Sequence, residues 1–239
     1  SHVNGVISVV FKKEALALEF MGISASIVLD FFMKTMGKSN LYADTLETLP
    51  LGIASQYLAP LNLRTLLLNC VTNHYAPLWA RHYQLAYNKD NWSKSDARLK
   101  SFSGLTAQWQ WATPLRNDYE RRQALVEIDV LVAMALGLSL KELILIYNIQ
   151  FPVLQQNEND TWYDTRGNIV FTCSKGLTGV GVDRPVWDTI KDLQAGQTYE
   201  HTIQKSELYK GKKVTYYAPF DKCNRVRDYE VAWEYFNNC

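Results

Sequence analysis

The chain has 239 residues, with 25 Lys and Arg against 24 Asp and Glu, and 47% of its residues are hydrophobic. That length buries a proper core as one large or two small domains. The near-neutral balance argues against a whole-chain electrostatic grip on nucleic acid, and no uncharged apolar run approaches a membrane span. Cys70, Cys173, Cys223 and Cys239 are far apart and form no Cys-x-x-Cys pair, so free thiols and a cytoplasmic location are expected, without a zinc ribbon or redox motif. Ser1-His2 in place of an initiating methionine reads as the scar of a cleaved tag, with no signal or transit peptide after it. An excised piece of a longer polypeptide is therefore expected.

The first region, residues 1–58, opens with a strand-like run at residues 6–11. Residues 15–36 then read as an apolar helix: Phe20, Ile23 and Ile27 share one helical spacing, and Val28, Phe31 and Phe32 another. Gly37 is placed to end that helix, since glycine enters the left-handed conformation that helix C-termini require. A polar Lys38-Ser39-Asn40 turn and Leu49-Pro50-Leu51 follow. No residue type in this stretch points to catalysis.

The second region, residues 59–150, reads as mostly helical. His74 and His82 stand among Tyr75, Trp79 and Tyr83, which favours an aromatic helix over a metal site. Residues 88–103 are polar and read as a loop or short connecting helix, and Trp109 and Trp111 alternate with glutamines as in a strand or an anchoring segment. A long amphipathic helix is expected over residues 116–138, with Thr113 as its N-cap, Pro114 in its first turn and Gly137 closing it. Ser139 and Glu142 have capping-box spacing and start the next helix, residues 140–147. Glu127 and Asp129 are two apart on the long helix and cannot share a face, which makes them a poor acid–base or metal pair. They read as structural salt-bridge partners, with Arg121, Arg122 or Lys141 as the candidates.

The third region, residues 151–239, reads as strand, turn, strand, with residues 164–167 as a hairpin turn. The glycines at 176, 179 and 181 fit neither a P-loop nor a dinucleotide loop and read as a flexible turn or lid. Asp183 and Pro185 suit the cap and first turn of a short helix over residues 186–193. Residues 213–217 form the clearest strand, Tyr209-Lys210-Gly211 a turn, and residues 228–236 a final helix. Between residues 205 and 227, seven basic residues meet only Glu207 and Asp221, with Tyr209, Tyr216 and Tyr217 interleaved. Such a mixture contacts phosphates, although lysines also protect exposed strand edges. The expected fold class is α+β: a strand–helix module, a central helical region, and a small mixed α/β region at the end.

Three stretches of the chain resemble the C-terminal part of large type II and type IIG-like DNA adenine methyltransferases, including those of BREX-type and DISARM-type phage-defence systems. The run ALALEFMGISASIVLDFFMK followed by Gly37-Lys38-Ser39-Asn40-Leu41 and Thr45-Leu46-Glu47-Thr48-Leu49-Pro50-Leu51 is similar to the closing element of their target-recognition domain. Arg116-Asn117-Asp118-Tyr119-Glu120-Arg121-Arg122, leading to Glu127-Ile128-Asp129 and Gly137-Leu138, is similar to the element that follows it. Tyr216-Tyr217-Ala218-Pro219-Phe220-Asp221, followed by Asp228-Tyr229-Glu230 and Trp233-Glu234-Tyr235-Phe236, looks like the end of the same polypeptides.

The resemblance implies a piece that works with double-stranded DNA and with an N-terminal methyltransferase core of the parent chain, and not with a membrane. It places Lys38, Ser39 and Asn40 near bases or phosphates, with Lys210, Lys212, Lys213 and Arg225 as backbone contacts. Neither a glycine-containing loop for S-adenosylmethionine nor an Asn-Pro-Pro-Tyr-type motif occurs, and no nuclease cluster is found. No catalytic residue, cofactor or metal is therefore assigned to this fragment. The alternative is a scaffold that docks partner subunits of a restriction or phage-defence complex through the aromatic helices of residues 59–150.

Overall fold

The computed structural model describes residues 9–37, 42–173 and 180–238. They form an α+β structure in which helices dominate and the strands make two short antiparallel hairpins. Among the described residues no single helix is long and apolar enough to cross a membrane.

The apolar run at residues 15–36 forms two helices where one was expected. Helix α1 (Glu14–Ser24) and helix α2 (Ile27–Thr35) meet at a bend of 81°. Ser26 causes the break: it adopts an extended conformation, and its side chain accepts the Val28 N–H at 3.1 Å, which starts a new helix. Gly37 closes α2 with φ +64°, as expected. Of the strand expected at residues 6–11, residues 6–8 lie outside the described residues and residues 9–11 form no regular element. The short α3 (Ala43–Leu46) leads to a segment tied back to α1, where the Glu19 carboxylate accepts the N–H groups of Gly52 and Ile53 at 2.5 and 3.0 Å.

Helix α4 (Ser55–Asn69) runs straight through the boundary expected at residue 58, because Leu61, Leu63, Leu66 and Leu67 are fully buried in one core shared with the preceding helices. Gly22 of α1 lies so close to α4 that a Cβ there would stand 2.6 Å from the Thr65 hydroxyl.

After α5 (Ala76–His82) the chain is irregular up to residue 117, apart from a short 3-10 turn at Leu85–Lys89. Three indoles hold this stretch in place. Trp79, Trp92 and Trp109 donate their ring N–H groups to the carbonyls of Thr106, Lys100 and Cys70, each at 2.8 Å. Trp109 is thus an anchor, and the strand considered there does not form.

Helix α6 (Asp118–Ala135) is the axis of the fold, packed by α1, α2, α4, α10 and α7. Its cap is Asn117, which accepts the Glu120 N–H at 2.7 Å; Thr113 lies four residues too early to cap the helix, and its hydroxyl instead accepts the Gln110 N–H. Gly137, at φ +76°, ends the helical stretch, and Ser139 and Glu142 form the expected capping box at the start of α7 (Leu140–Gln150).

Helix α8 (Pro152–Asp160) follows at once, in a stretch read as the start of a strand-rich region. The final helix, α10 (Arg225–Asn237), starts three residues before its expected position and packs on α6 and α7. Both belong with the helical body, so the expected third region is divided between two cores.

The second core is small. Strands β1 (Trp162–Tyr163) and β2 (Ile169–Phe171) form the expected hairpin, turning at Gly167 with φ +84°. Helix α9 (Arg184–Ile190), capped by Asp183 with Pro185 in its first turn, lays Trp187 on Phe171 at 5.3 Å between ring centres. Strands β3 (Thr198–Thr202) and β4 (Lys213–Tyr217) complete it. Of the glycine-rich run, residues 174–179 lie outside the described residues; Gly181 sits where a Cβ would meet the Val170 carbonyl at 2.5 Å, so close backbone approach accounts for that glycine.

Candidate functional site

Two kinds of charge concentrate in this fold: a buried set that joins distant segments, and an exposed set around the second core. Helix α6 generates the buried set because its polar residues alternate between faces. Glu127 turns toward α4, where its carboxylate accepts Arg64 Nε at 2.5 Å and the Ser93 backbone and hydroxyl at 2.8 and 2.6 Å. Asp129, two residues on, turns the other way. It accepts the Ile27 N–H at 2.9 Å, Arg225 Nη2 at 2.8 Å and the Tyr229 hydroxyl at 2.6 Å. A carboxylate at the start of α2 is well placed, since the first N–H groups of a helix lack internal partners and carry partial positive charge.

From Asp129 the pairing continues through Arg225 to Glu158 of α8, on to Arg122 of α6, to Asp228 of α10 and to Lys94 of the irregular segment. Three cations face three carboxylates, so the set is internally neutral. Burial opposes ionisation of Glu158, yet the hydrogen bond and charge of Arg122, with the charge of Arg225, hold its pKa below the ordinary value. Burial likewise works against the Arg225 charge, but Tyr229, Asp129 and Glu158 hold its pKa well above that of a free guanidinium. The salt-bridge role expected for Glu127 and Asp129 is what the geometry gives, though with Arg64 and Arg225 as partners.

Beside the Arg64 cluster opens a groove of about 590 Å³ lined by Gln56, Tyr57, Pro60, Lys89 and Phe236. Arg64 does not line it and is fully buried. Arg64 engages every N–H it has, on Glu127, Asp90 and the carbonyls of Pro60 and Asn91.

The exposed set surrounds the second core. Lys210, Lys212 and Lys213 lie together in and beside the β3–β4 turn, all exposed. Lys213 pairs with Glu200 at 2.7 Å, an exposed contact of little energetic weight, and the Lys212 ammonium sits 5.5 Å from the Tyr209 ring centre. Arg166 covers Tyr217 at 3.5 Å, Lys222 covers Trp162 at 4.7 Å, and Arg184 covers Phe171 at 4.7 Å. Cations stacked on aromatic faces therefore recur over this unit, a juxtaposition the sequence hinted at only through interleaved tyrosines. No family model, curated protein or solved structure matches the chain.

Arg225 does not belong to the exposed set. It is 7% exposed and committed to Asp129, Glu158 and Tyr229, so a phosphate contact there is replaced by a structural one. Lys38, Ser39 and Asn40 lie outside the described residues. The three described cysteines are free thiols, and burial pushes the Cys223 pKa up to about 11, away from reactivity. His74 and His82 lie in separate elements, His82 with its ring 3.5 Å from Glu14.

Proposed function

We propose that this chain is the non-catalytic C-terminal part of a cytoplasmic DNA adenine methyltransferase of the restriction or phage-defence kind, and that it helps position the enzyme on double-stranded DNA. The observation that carries this reading is Asp129. The three stretches that resemble the family lie far apart in the chain, yet Ile27 from the first and Arg225 and Tyr229 from the last both meet the Asp129 carboxylate of the second. The three stretches are thus parts of one buried unit and not separate modules. The exposed Lys210, Lys212 and Lys213, with the cation–aromatic pairs nearby, supply the phosphate-contacting surface, and methyl transfer belongs to a core upstream.

Fluorescence anisotropy with labelled duplex DNA over a salt series tests the reading. Each phosphate neutralised lowers the slope of log K against log salt by about 0.9, so the three hairpin lysines together contribute a slope of about −3. The triple variant Lys210→Ala, Lys212→Ala, Lys213→Ala is expected to lose most of that slope while keeping its fold. Binding that does not change with salt, or no binding at high protein concentration, overturns it.

A second reading is docking of partner subunits, which the exposed apolar side chains Leu145 and Ile149 favour. They stand one turn apart on α7, 56% and 62% exposed, with Val153 at the start of α8 68% exposed. Association with a partner subunit that survives high salt and is lost in Leu145→Asp with Ile149→Asp, without DNA binding, selects this reading.

A further inference from the structure

The loop before α6 carries a charge arrangement unlike that of the core. Arg64, Arg98, Arg122 and Arg225 each meet at least one carboxylate. Arg116 and Arg121 meet none among the described residues. Arg116 donates to the carbonyls of Trp111 and Val71 at 2.9 and 3.0 Å, and Arg121 to those of Leu68 and Leu115 at 3.1 and 3.5 Å. Both guanidiniums are thus fixed by backbone oxygens, with their charge uncompensated by a side chain. Burial, and then the Arg121 charge, lower the pKa of Arg116. Lys100 adds a third cation, its ammonium clasped by the carbonyls of Ala112, Thr113 and Pro114 at 2.9, 2.5 and 3.0 Å. The carboxylate nearest to this group, Glu120, is buried and accepts the backbone N–H groups of Lys100 and Arg116.

Donors remain free here. Arg116 leaves Nη1, and Arg121 leaves Nε and Nη2, without a protein acceptor among the described residues. Against Arg116 stands Trp111, 71% exposed, with the guanidinium 3.8 Å from its ring centre. The contrast with Trp79, Trp92 and Trp109 is chemical as well as spatial: those three indoles are buried or partly buried and donate to carbonyls, whereas no acceptor meets the Trp111 ring N–H among the described residues. Its aromatic surface packs against no other ring among the described residues. An exposed indole costs solvation free energy, and here the Arg116 guanidinium occupies one of its faces and leaves the other open.

We propose that Trp111, Arg116 and Arg121 form a binding site for an unpaired nucleotide of a DNA strand, with the base stacked on the indole and its phosphate held by the two guanidiniums. The choice of an unpaired base follows from stacking: within a duplex both faces of a base are covered by its neighbours, and only a base out of the stack can lie on an aromatic side chain. Arginine forks match phosphate oxygens in a way a lysine does not, and the free donors are those of two adjacent arginines. The site lies by the C-terminal end of α4, on the helical body, whereas the lysine hairpin packs on the second core. Its residues are separate from those of the hairpin, while the choice of a DNA strand as its ligand rests on the function proposed above.

The test uses the 239-residue chain and a dye-labelled twelve-nucleotide single strand of mixed sequence, read by anisotropy. Trp111→Ala is expected to weaken binding about tenfold, in the range of one stacked base, and Trp111→Phe to restore most of it. Arg116→Gln is expected to weaken binding and to reduce the salt slope. Because Trp111 is exposed, the thermal midpoint of Trp111→Ala should stay within about 2 °C of the parent chain, since surface changes away from special features alter stability little. The lysine-hairpin triple variant, measured on the same single strand, separates the two surfaces: its duplex binding falls while the effect of Trp111→Ala on the single strand persists. Unchanged single-strand affinity in Trp111→Ala with an unchanged melt overturns the proposal, as does an equal loss for Trp111→Phe.

Discussion

Removing the Asp129 carboxylate should be strongly destabilising, because three buried donors converge on it. In Asp129→Ala the Ile27 N–H and the Tyr229 hydroxyl lose their acceptor, and Arg225, 7% exposed, keeps only Glu158 as a carboxylate partner. Breaking a buried ion pair from one side costs about 3–5 kcal/mol, because the surviving charge stays desolvated. Each orphaned buried donor adds about 1–3 kcal/mol when nothing replaces the bond. Glu158 at 3.1 Å offsets part of the first term, and Tyr229 keeps Arg225 Nε as a neighbour at 2.7 Å, so a net loss of about 4 kcal/mol is expected. For a chain of this size that corresponds to about 8–16 °C in melting temperature.

Urea unfolding followed by tryptophan fluorescence and by circular dichroism measures it, with the midpoint falling by more than about 1 M at an unchanged slope. Asp129→Asn keeps an oxygen for the Ile27 N–H and should lose less. A cycle with Arg225→Met separates the pair from its surroundings: the double variant should be about 1–3 kcal/mol more stable than the two single losses added together. A loss under about 1 kcal/mol in Asp129→Ala, or strict additivity in the cycle, refutes the assignment of Asp129 as the carboxylate that joins the three segments.

Gly22→Ala should destabilise the chain by about 1–3 kcal/mol despite alanine's better helix propensity, because the new Cβ meets Thr65 Oγ1 at 2.6 Å and Leu61 Cγ at 2.9 Å; a thermal melt checks it, and a stabilised variant would contradict the packing of α1 on α4. Acid should unfold the protein through Glu158 and Asp96. Burial resists ionisation of both, but Arg122 and Arg225 hold Glu158 below 4.5, and hydrogen bonds from Arg98 and Tyr119 hold Asp96 below 3.8. The unfolded chain therefore takes up protons first, so stability is complete above about pH 5 and falls as the pH drops below it; a urea midpoint constant from pH 5 to pH 3.5 would refute this. Ser139→Ala removes the hydroxyl that caps α7 and should cost about 1 kcal/mol, seen as a shift in urea midpoint that Ser139→Asp largely restores.

What could be read from the sequence was whatever is settled within a few residues. The Ser139–Glu142 box, the Asp183 cap, the positive-φ turns at Gly37, Gly137, Gly167 and Gly211, and the strand at residues 213–217 are all local, and all are present. Two misses are local, the caps at Asn117 and Ser26, and the rest are long-range or lack a pattern. Helix α8 has no apolar periodicity in Pro152-Val153-Leu154-Gln155-Gln156-Asn157-Glu158-Asn159-Asp160, and its place is set by Glu158 pairing with Arg122 and Arg225. The bend between α1 and α2 depends in part on Asp129, 102 residues away, which takes the Ile27 N–H. Arg225 looked like part of a basic surface because its partner Asp129 is 96 residues upstream.

The same long-range pairing changes what the overall charge means. Read as a total, 25 basic against 24 acidic residues leaves no electrostatic preference. Burial is not even-handed, however. Among the described residues the carboxylates of Glu19, Glu120, Glu127, Asp129, Asp164 and Asp228 are buried, against the guanidiniums of Arg64, Arg122 and Arg225 alone. Several of those carboxylates are occupied by backbone N–H groups, as Glu19 is by Gly52 and Ile53 and Asp164 by Arg166 and Asn168. Each carboxylate spent on backbone donors leaves a cation elsewhere without a partner. The surface is consequently more basic than the total, and Arg116, Arg121, Arg166, Arg184 and Lys212, which meet carbonyls or aromatic rings but no carboxylate among the described residues, are where the excess appears. A chain that is neutral in total can in this way carry a basic surface, provided its fold consumes acidic residues internally.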